Sequence, residues 1–216
     1  SYRAQVDYAG DRYGVLLERL VIGDSFKPDI GYVRRSDIRL SQAQFRFSPR
    51  PRSSRIVRKF SWTGQVAYTE NGAGRVETRD LEGEFGIEFQ NSDTFAASYR
   101  DAYEFLPVPA RIVGITIPVG GYDYATTRVA YNFGRQRRMS GNVSVDHGEF
   151  YSGHKTTLSI SQGRLNLTPQ LSIVPTYLGN WVDLVEGSST THLAGSLLTL
   201  TVTAPKFLGA LGQNNT

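Results

Sequence analysis

The sequence contains no cysteine. That excludes disulfides, thiolate metal sites and a cysteine nucleophile, and it leaves oxidising and reducing compartments equally open. No apolar run approaches the ~18 residues of a membrane-spanning helix. Ser1-Tyr2-Arg3 opens in a strand-like pattern and not in a signal peptide, so the targeting segment of an exported protein would lie outside this sequence. Helical spacing of apolar residues is not sustained anywhere. The three histidines, His147, His154 and His192, lack metal-ligand spacing, which predicts no metal site. No Gly-x-Ser-x-Gly elbow occurs, and Gly120-Gly121 and Gly72-Ala73-Gly74 open no helix that could cradle a phosphate. The expectation is a protein with no catalytic residues and no cofactor, not an enzyme.

What is present is alternation. Ala43, Phe45 and Phe47 alternate with Gln42, Gln44 and Arg46. Phe60, Trp62, Val66 and Tyr68 oppose Ser61, Thr63, Gln65 and Thr69, and Leu81, Phe85, Ile87 and Phe89 oppose Glu82, Glu84, Glu88 and Gln90. The same period runs through Phe95 to Arg100, Arg128 to Phe133, Met139 to Asp146 and Leu171 to Trp181. Period two is the mark of a strand with two different faces. Short turn signals separate the segments, at Gly10-Asp11, Asn71-Gly72-Ala73-Gly74, Asn91-Ser92-Asp93, Ser152-Gly153 and Glu186-Gly187, and they imply antiparallel neighbours. Longer connections are expected at 23–31, 49–54 and 106–121, the last carrying Pro107, Pro109 and Pro118. Such loops are where contacts concentrate.

About a dozen strands in 216 residues leave roughly 18 residues per strand and turn. That suits tilted bilayer-crossing strands of ~9–11 residues better than the ~5–6 of a soluble sandwich. The polar positions carry Gln, Ser, Thr, Asn, Glu and Arg, while the apolar ones mix large aromatics with glycine. A barrel with a polar lumen and aromatic girdles needs this arrangement. The lipid-facing aromatics are then Phe45, Phe47, Phe60, Trp62, Tyr68, Phe85, Phe89 and Trp181. The lumen polar network is Gln42, Gln44, Arg46, Glu82, Glu84 and Glu88, with Arg46 expected to face the glutamate row, since buried opposite charges are better paired than isolated.

The net charge is +4, but the basic residues are clustered, from Arg34 and Arg35 through Arg39, Arg46, Arg50, Arg52, Arg55, Arg58 and Lys59, and again at Arg135, Arg137 and Arg138. A solvated rim or loop is the ordinary reading of such runs; an inward ladder attracting anions is the sharper one. Glu82, Glu84 and Glu88 fall on one strand face, where alternate positions are ~7 Å apart, a spacing that glycosidase carboxylates could use. A lumen wall balanced by arginines accounts for the same row. Aromatics and arginines fall on opposite faces, which argues against nucleic-acid binding.

Several stretches resemble a known family. They are Gly10-Asp11-Arg12-Tyr13-Gly14; Phe26, Pro28, Gly31, Tyr32, Arg34 and Arg35 in an F-x-P-x-x-G-Y-x-R-R pattern; Phe47-Ser48-Pro49-Arg50-Pro51; Arg58-Lys59-Phe60-Ser61-Trp62; Tyr103-Glu104-Phe105-Leu106-Pro107; Ile117-Pro118-Val119-Gly120-Gly121-Tyr122; and Asn180-Trp181-Val182-Asp183-Leu184. In order along the chain, they resemble the C-terminal outer-membrane β-barrel of the uncharacterised bacterial family with domain of unknown function 5916. Its members carry an N-terminal carbohydrate-binding domain like that of xylanases. The resemblance implies a barrel in the bacterial outer membrane and no assigned activity. The family's barrel continues beyond the polar end Gln213-Asn214-Asn215-Thr216, so 1–216 is expected to be a single β-barrel domain incomplete at both ends.

The fold expected is therefore all-β: an antiparallel up-and-down transmembrane β-barrel, with about twelve strands in this chain. Its role is expected to be that of a channel, an anchor or a subunit of an envelope assembly. The expected partners are outer-membrane lipid and a glycan or another envelope protein, the glycan link resting on the family resemblance. The competing expectation is a soluble β-rich carbohydrate-binding module, or an engineered soluble derivative of the barrel.

Overall fold

The computed structural model describes residues 1–25, 37–112, 114–136, 138–203 and 206–215. Among them there is no helix. The strands are β1 (Tyr2–Ala9), β2 (Tyr13–Ile22), β3 (Ile38–Phe47), β4 (Val57–Asn71), β5 (Val76–Phe89), β6 (Thr94–Leu106), β7 (Ala110–Ile112), β8 (Ile115–Ile117), β9 (Gly120–Phe133), β10 (Met139–Phe150), β11 (Gly153–Asn166), β12 (Leu171–Leu184), β13 (Gly187–Thr203) and β14 (Lys206–Asn215). Twelve form one antiparallel sheet in sequence order, and β7 and β8 form a hairpin of their own between β6 and β9. At 10–12, 72–75, 90–93, 151–152 and 185–186 the up-and-down order follows from the short connection, since a turn of a few residues can only return the chain beside the strand it has just left. The edge strands β1 and β14 pair only with β2 and β13 among the described residues, and every residue of β1 is exposed. The all-β antiparallel sheet of the sequence reading is present; its closure into a barrel is not part of the observed pairing.

Register sorts the side chains. Phe47 pairs with Trp62 and Trp62 with Phe85. Phe85 pairs with Ala97, Ala97 with Val129 and Val129 with Val145. All eight predicted aromatics, Phe45, Phe47, Phe60, Trp62, Tyr68, Phe85, Phe89 and Trp181, lie on this first face. Gln44, Gln65 and Glu82 form a row on the second face, as do Arg46, Thr63 and Glu84. Gln42 and Glu88 share that face.

On the first face the apolar positions run from Phe60 to Tyr68, from Leu81 to Phe89 and from Ile173 to Trp181, nine residues each. Beyond them the face turns charged at Arg79, Asp101 and Asp123, which join as one ion-pair group at 3.4 and 3.0 Å. The band is left open: Tyr99 is 55% exposed, Phe45 52%, Leu81 51%, Trp62 43% and Trp181 38%. Rings meet across the strands within it, Tyr13 stacked on Phe47 at 5.3 Å, Phe47 on Trp62 at 5.8 Å, and Trp62 tilted against Phe85 at 5.3 Å. These contacts are the cross-strand pairs that stabilise a sheet.

Among the described residues, the compact apolar core is on the second face, where the β7–β8 hairpin folds over the sheet. Leu106, Ile117, Val182 and Leu184 are its buried members, and Ala110, Ile112, Ile115, Tyr122, Phe150 and Tyr151 pack around them. Ile117 is completely inaccessible. In the stretch 106–121, read from the sequence as one of the longer loops, the described residues thus form a roof reaching from β6 as far as the start of β13, where Ile115 approaches Gly187.

Candidate functional site

The roofed end of the second face joins the core to a polar wall. Next to the core lies a cleft of about 340 Å³ lined by Arg100, Tyr124, Thr126, Arg128, Asp146, Phe150, Lys155 and Thr157, with His147 and Glu149 at its border. Phe150 belongs to both, one wall of the cleft and one support of the hairpin. The cleft owes its shape to Gly148. A Cβ there would fall on the carbonyl oxygen of Ala125 and within 2.6 Å of the Thr126 Cα, so only glycine lets β10 press this closely on β9. One residue on, the Glu149 carboxylate accepts the Ala125 N–H at 3.0 Å.

Cross-strand pairs fix the charged side chains of the wall. Arg100 donates through Nε to Asp80 at 2.6 Å and binds the same carboxylate through Nη2. Arg128 donates to both oxygens of Asp146 at 2.9 and 3.0 Å and to the Ser144 hydroxyl at 3.2 Å. The Lys155 ammonium lies 5.0 Å from the Phe150 ring centre and makes no ion pair among the described residues. Planar guanidiniums anchored by carboxylates are held in one orientation, which suits them to present their remaining N–H groups to a polar solute. Tyr124 and Phe150, with ring centres 6.3 Å apart, supply apolar faces beside those donors.

Tyr151 props the roof. It adopts φ 50° in the two-residue β10–β11 turn, a left-handed conformation that costs a bulky residue ~1–2 kcal/mol. Its hydroxyl donates to Glu104 at 2.9 Å, and its ring packs edge-on against Phe150 at 4.7 Å and Tyr122 at 5.2 Å. Burial, then the hydrogen bond to Glu104, raises its pKa above the ordinary tyrosine value. Nothing in the sequence distinguishes Tyr151 from the other eleven tyrosines; its role comes from the turn geometry.

The predicted network is rearranged. Gln42, Gln44, Arg46, Glu82, Glu84 and Glu88 do share the second face, but Arg46 does not pair with the glutamate row. Its guanidinium donates to the Gly10 carbonyl at 2.6 Å, to the Asp11 carbonyl at 3.4 Å and to Ser48 at 2.7 Å. Thr63 lies between it and Glu84 in the register, and the turn carbonyls are nearer. Glu82 accepts instead from Gln65 at 3.0 Å and Glu88 from Arg58 at 2.8 Å. Of the residues that do form pairs, Arg100, Arg128 and Asp146 were legible only as members of the polar face, and Asp80 was not singled out. No group of metal-ligating side chains occurs among the described residues. The F-x-P-x-x-G-Y-x-R-R stretch at 26–35 lies outside the described residues. No family model, curated protein or solved structure matches the chain.

Proposed function

We propose that this chain forms the wall of a bacterial outer-membrane β-barrel, with the first face in lipid and the second lining a channel that the β7–β8 hairpin narrows. The carrying observation is the exposed band. Twelve strands at ~4.8 Å spacing and a nine-residue tilted height of ~20 Å give this face a band on the order of 1,000 Å², predominantly apolar. A soluble monomer rarely exposes more than ~300–600 Å² in one patch. Nine residues is also the length a tilted strand needs to cross the hydrocarbon layer. Against this stands the second face, where carboxylates and guanidiniums are paired across strands as a wet lumen requires.

Open edges are not tolerated in hydrocarbon, where each unsatisfied peptide group costs several kcal/mol, so the reading requires β1 and β14 to be paired when the protein is in a membrane. The resemblance to a family with a carbohydrate-binding domain supports glycan capture or uptake as the role, and rings beside anchored guanidiniums at the roofed cleft are suited to it. The test is fluorescence of Trp62 and Trp181 in liposomes whose acyl chains carry a quencher. Strong quenching of both is expected; emission shielded from the quencher at both would place this face against protein and replace the barrel with a soluble module.

A further inference from the structure

The two ends of the strands differ in charge, and the basic end is a single ordered rim. Three connections meet there: 10–12 between β1 and β2, 48–56 between β3 and β4, and 90–93 between β5 and β6. The Ser48 N–H donates to the Arg12 carbonyl at 2.7 Å, and the Gln90 N–H to the Ile56 carbonyl at 2.8 Å. Arg46 ties Gly10 to β3, and Arg58 donates to the Gln90 carbonyl at 3.2 Å as well as to Glu88. Arg50 is matched by Asp11 at 2.7 Å. Asp93, the remaining acid of these turns, is 1% exposed and accepts from the Tyr131 hydroxyl and the Gly134 N–H. Arg12, Arg52 and Arg55 are exposed and make no ion pair among the described residues. The opposite end gathers Asp101, Glu104, Asp123, Glu149, Asp183 and Glu186.

Arg12 has the most specific placement. Its guanidinium lies 5.6 Å from the Tyr13 ring centre and 5.4 Å from that of Phe47. It therefore caps the aromatic row Tyr13, Phe47, Trp62 and Phe85 on the first face, at the point where that band ends. Aromatic rings at an interface seat themselves at the level of lipid headgroups. A cation immediately beyond them, with its stem on the rings, is where a headgroup phosphate sits, and a planar guanidinium matches phosphate oxygens in pairs.

We propose that this rim is a binding site for the phosphate groups of anionic lipids, with Arg12 as its anchor and Arg52 and Arg55 as further charges, so that the basic end of the strands recruits such lipids and the acidic end does not. The proposal rests on the reading of the first face as lipid-facing. It uses the basic cluster that the channel itself does not.

The two tryptophans report on the two ends separately, Trp62 near the basic end and Trp181 near the acidic one. The full chain is reconstituted in vesicles of phosphatidylcholine and phosphatidylglycerol mixed three to one. Energy transfer is then measured to a headgroup-labelled phosphatidylglycerol or a headgroup-labelled phosphatidylcholine. In the Trp181→Phe background, transfer from Trp62 is expected to favour the labelled phosphatidylglycerol severalfold; in the Trp62→Phe background, transfer from Trp181 should show no preference. Replacing Arg12, Arg52 and Arg55 by Gln should abolish the Trp62 preference, and raising salt should weaken it. Replacing Arg39, Arg75 and Arg111 by Gln, cations of the other end, should leave it unchanged.

Equal preference at both tryptophans, or a preference that survives the triple change at the rim, would overturn the site. Loss of the preference to inorganic phosphate at matched ionic strength would reassign it to a free anion. Failure to insert into phosphatidylcholine alone, with both tryptophans unquenched, is a different outcome, which removes the barrel reading and this site with it. Unchanged acyl-chain quenching in the triple variant separates loss of the lipid site from loss of the fold.

Discussion

The two faces of the sheet are built from the same strands and alternate residues, yet they are stabilised differently. On the first face, neighbouring side chains meet ring to ring or ring to glycine and leave a smooth surface exposed. On the second, several charged side chains are matched by a partner one strand away, Asp80 by Arg100 and Asp146 by Arg128. The contrast shows how tightly register is specified, because a slip of one residue in β4 or β5 would exchange the apolar for the polar set over the whole strand. It also locates the packed interior. The sheet has little core of its own, and the buried apolar cluster exists where the hairpin has been laid over the second face.

The comparison is broken most severely by charging the first face. Phe85→Arg should cost up to ~4 kcal/mol of stability in a bilayer, while Glu84→Arg, one residue away on the other face, should cost little. Urea unfolding of the two variants in vesicles measures the difference, and equal costs would mean that the faces are not in different solvents. Next in size, Ile117→Ala should remove about 3 kcal/mol from the roof, as expected for an emptied core position. In planar bilayers it should raise single-channel conductance, and an unchanged conductance would separate the hairpin from the pore. Gly148→Val should cost about 2 kcal/mol, because the clash is with the backbone of β9, which cannot move aside cheaply. Hydrogen exchange should show the loss confined to β9 and β10.

The smallest effect expected is at Tyr151→Phe, about 1 kcal/mol for the lost hydrogen bond to Glu104. The pH dependence has a definite sign. The folded state favours the neutral phenol, so its contribution is complete below the ordinary tyrosine pKa of ~10 and is lost as pH rises from there through the raised folded value. An ultraviolet phenolate titration of the native protein should therefore contain a late-titrating tyrosine that Tyr151→Phe removes.

Most of the sheet was legible because period two survives in sequence. Phe60, Trp62 and Tyr68 against Ser61, Thr63 and Thr69 need no tertiary information to be assigned to opposite faces. The hairpin was harder to see. Its strands are three residues each, and Pro107, Pro109 and Pro118 mark the region as loop. The available signal was Ile112, Ile115 and Ile117 around Gly114, whose φ of +82° suits a tight turn. The fate of Arg46 was hidden for another reason. Its partners are backbone carbonyls brought near by the β1–β2 turn, and sequence patterns display side chains, not carbonyl positions. The cleft likewise depends on a close approach of two backbones at Gly148, one glycine among 22.

The up-and-down order also sets a sequence of events in time. Each strand of the large sheet pairs with one that the chain has just left or is about to form, so loop-closure costs are small and the sheet can zip from either end or from any hairpin. The roof is different. β7 and β8 precede β9, yet β8 docks as far away as the start of β13, and Val182 and Leu184, which complete the core around Ile117, lie near the end of β12. The hairpin's core is incomplete until β12 and the start of β13 are in place. Its docking is the last act of assembly, so mutations at Ile117 should accelerate opening without slowing sheet formation.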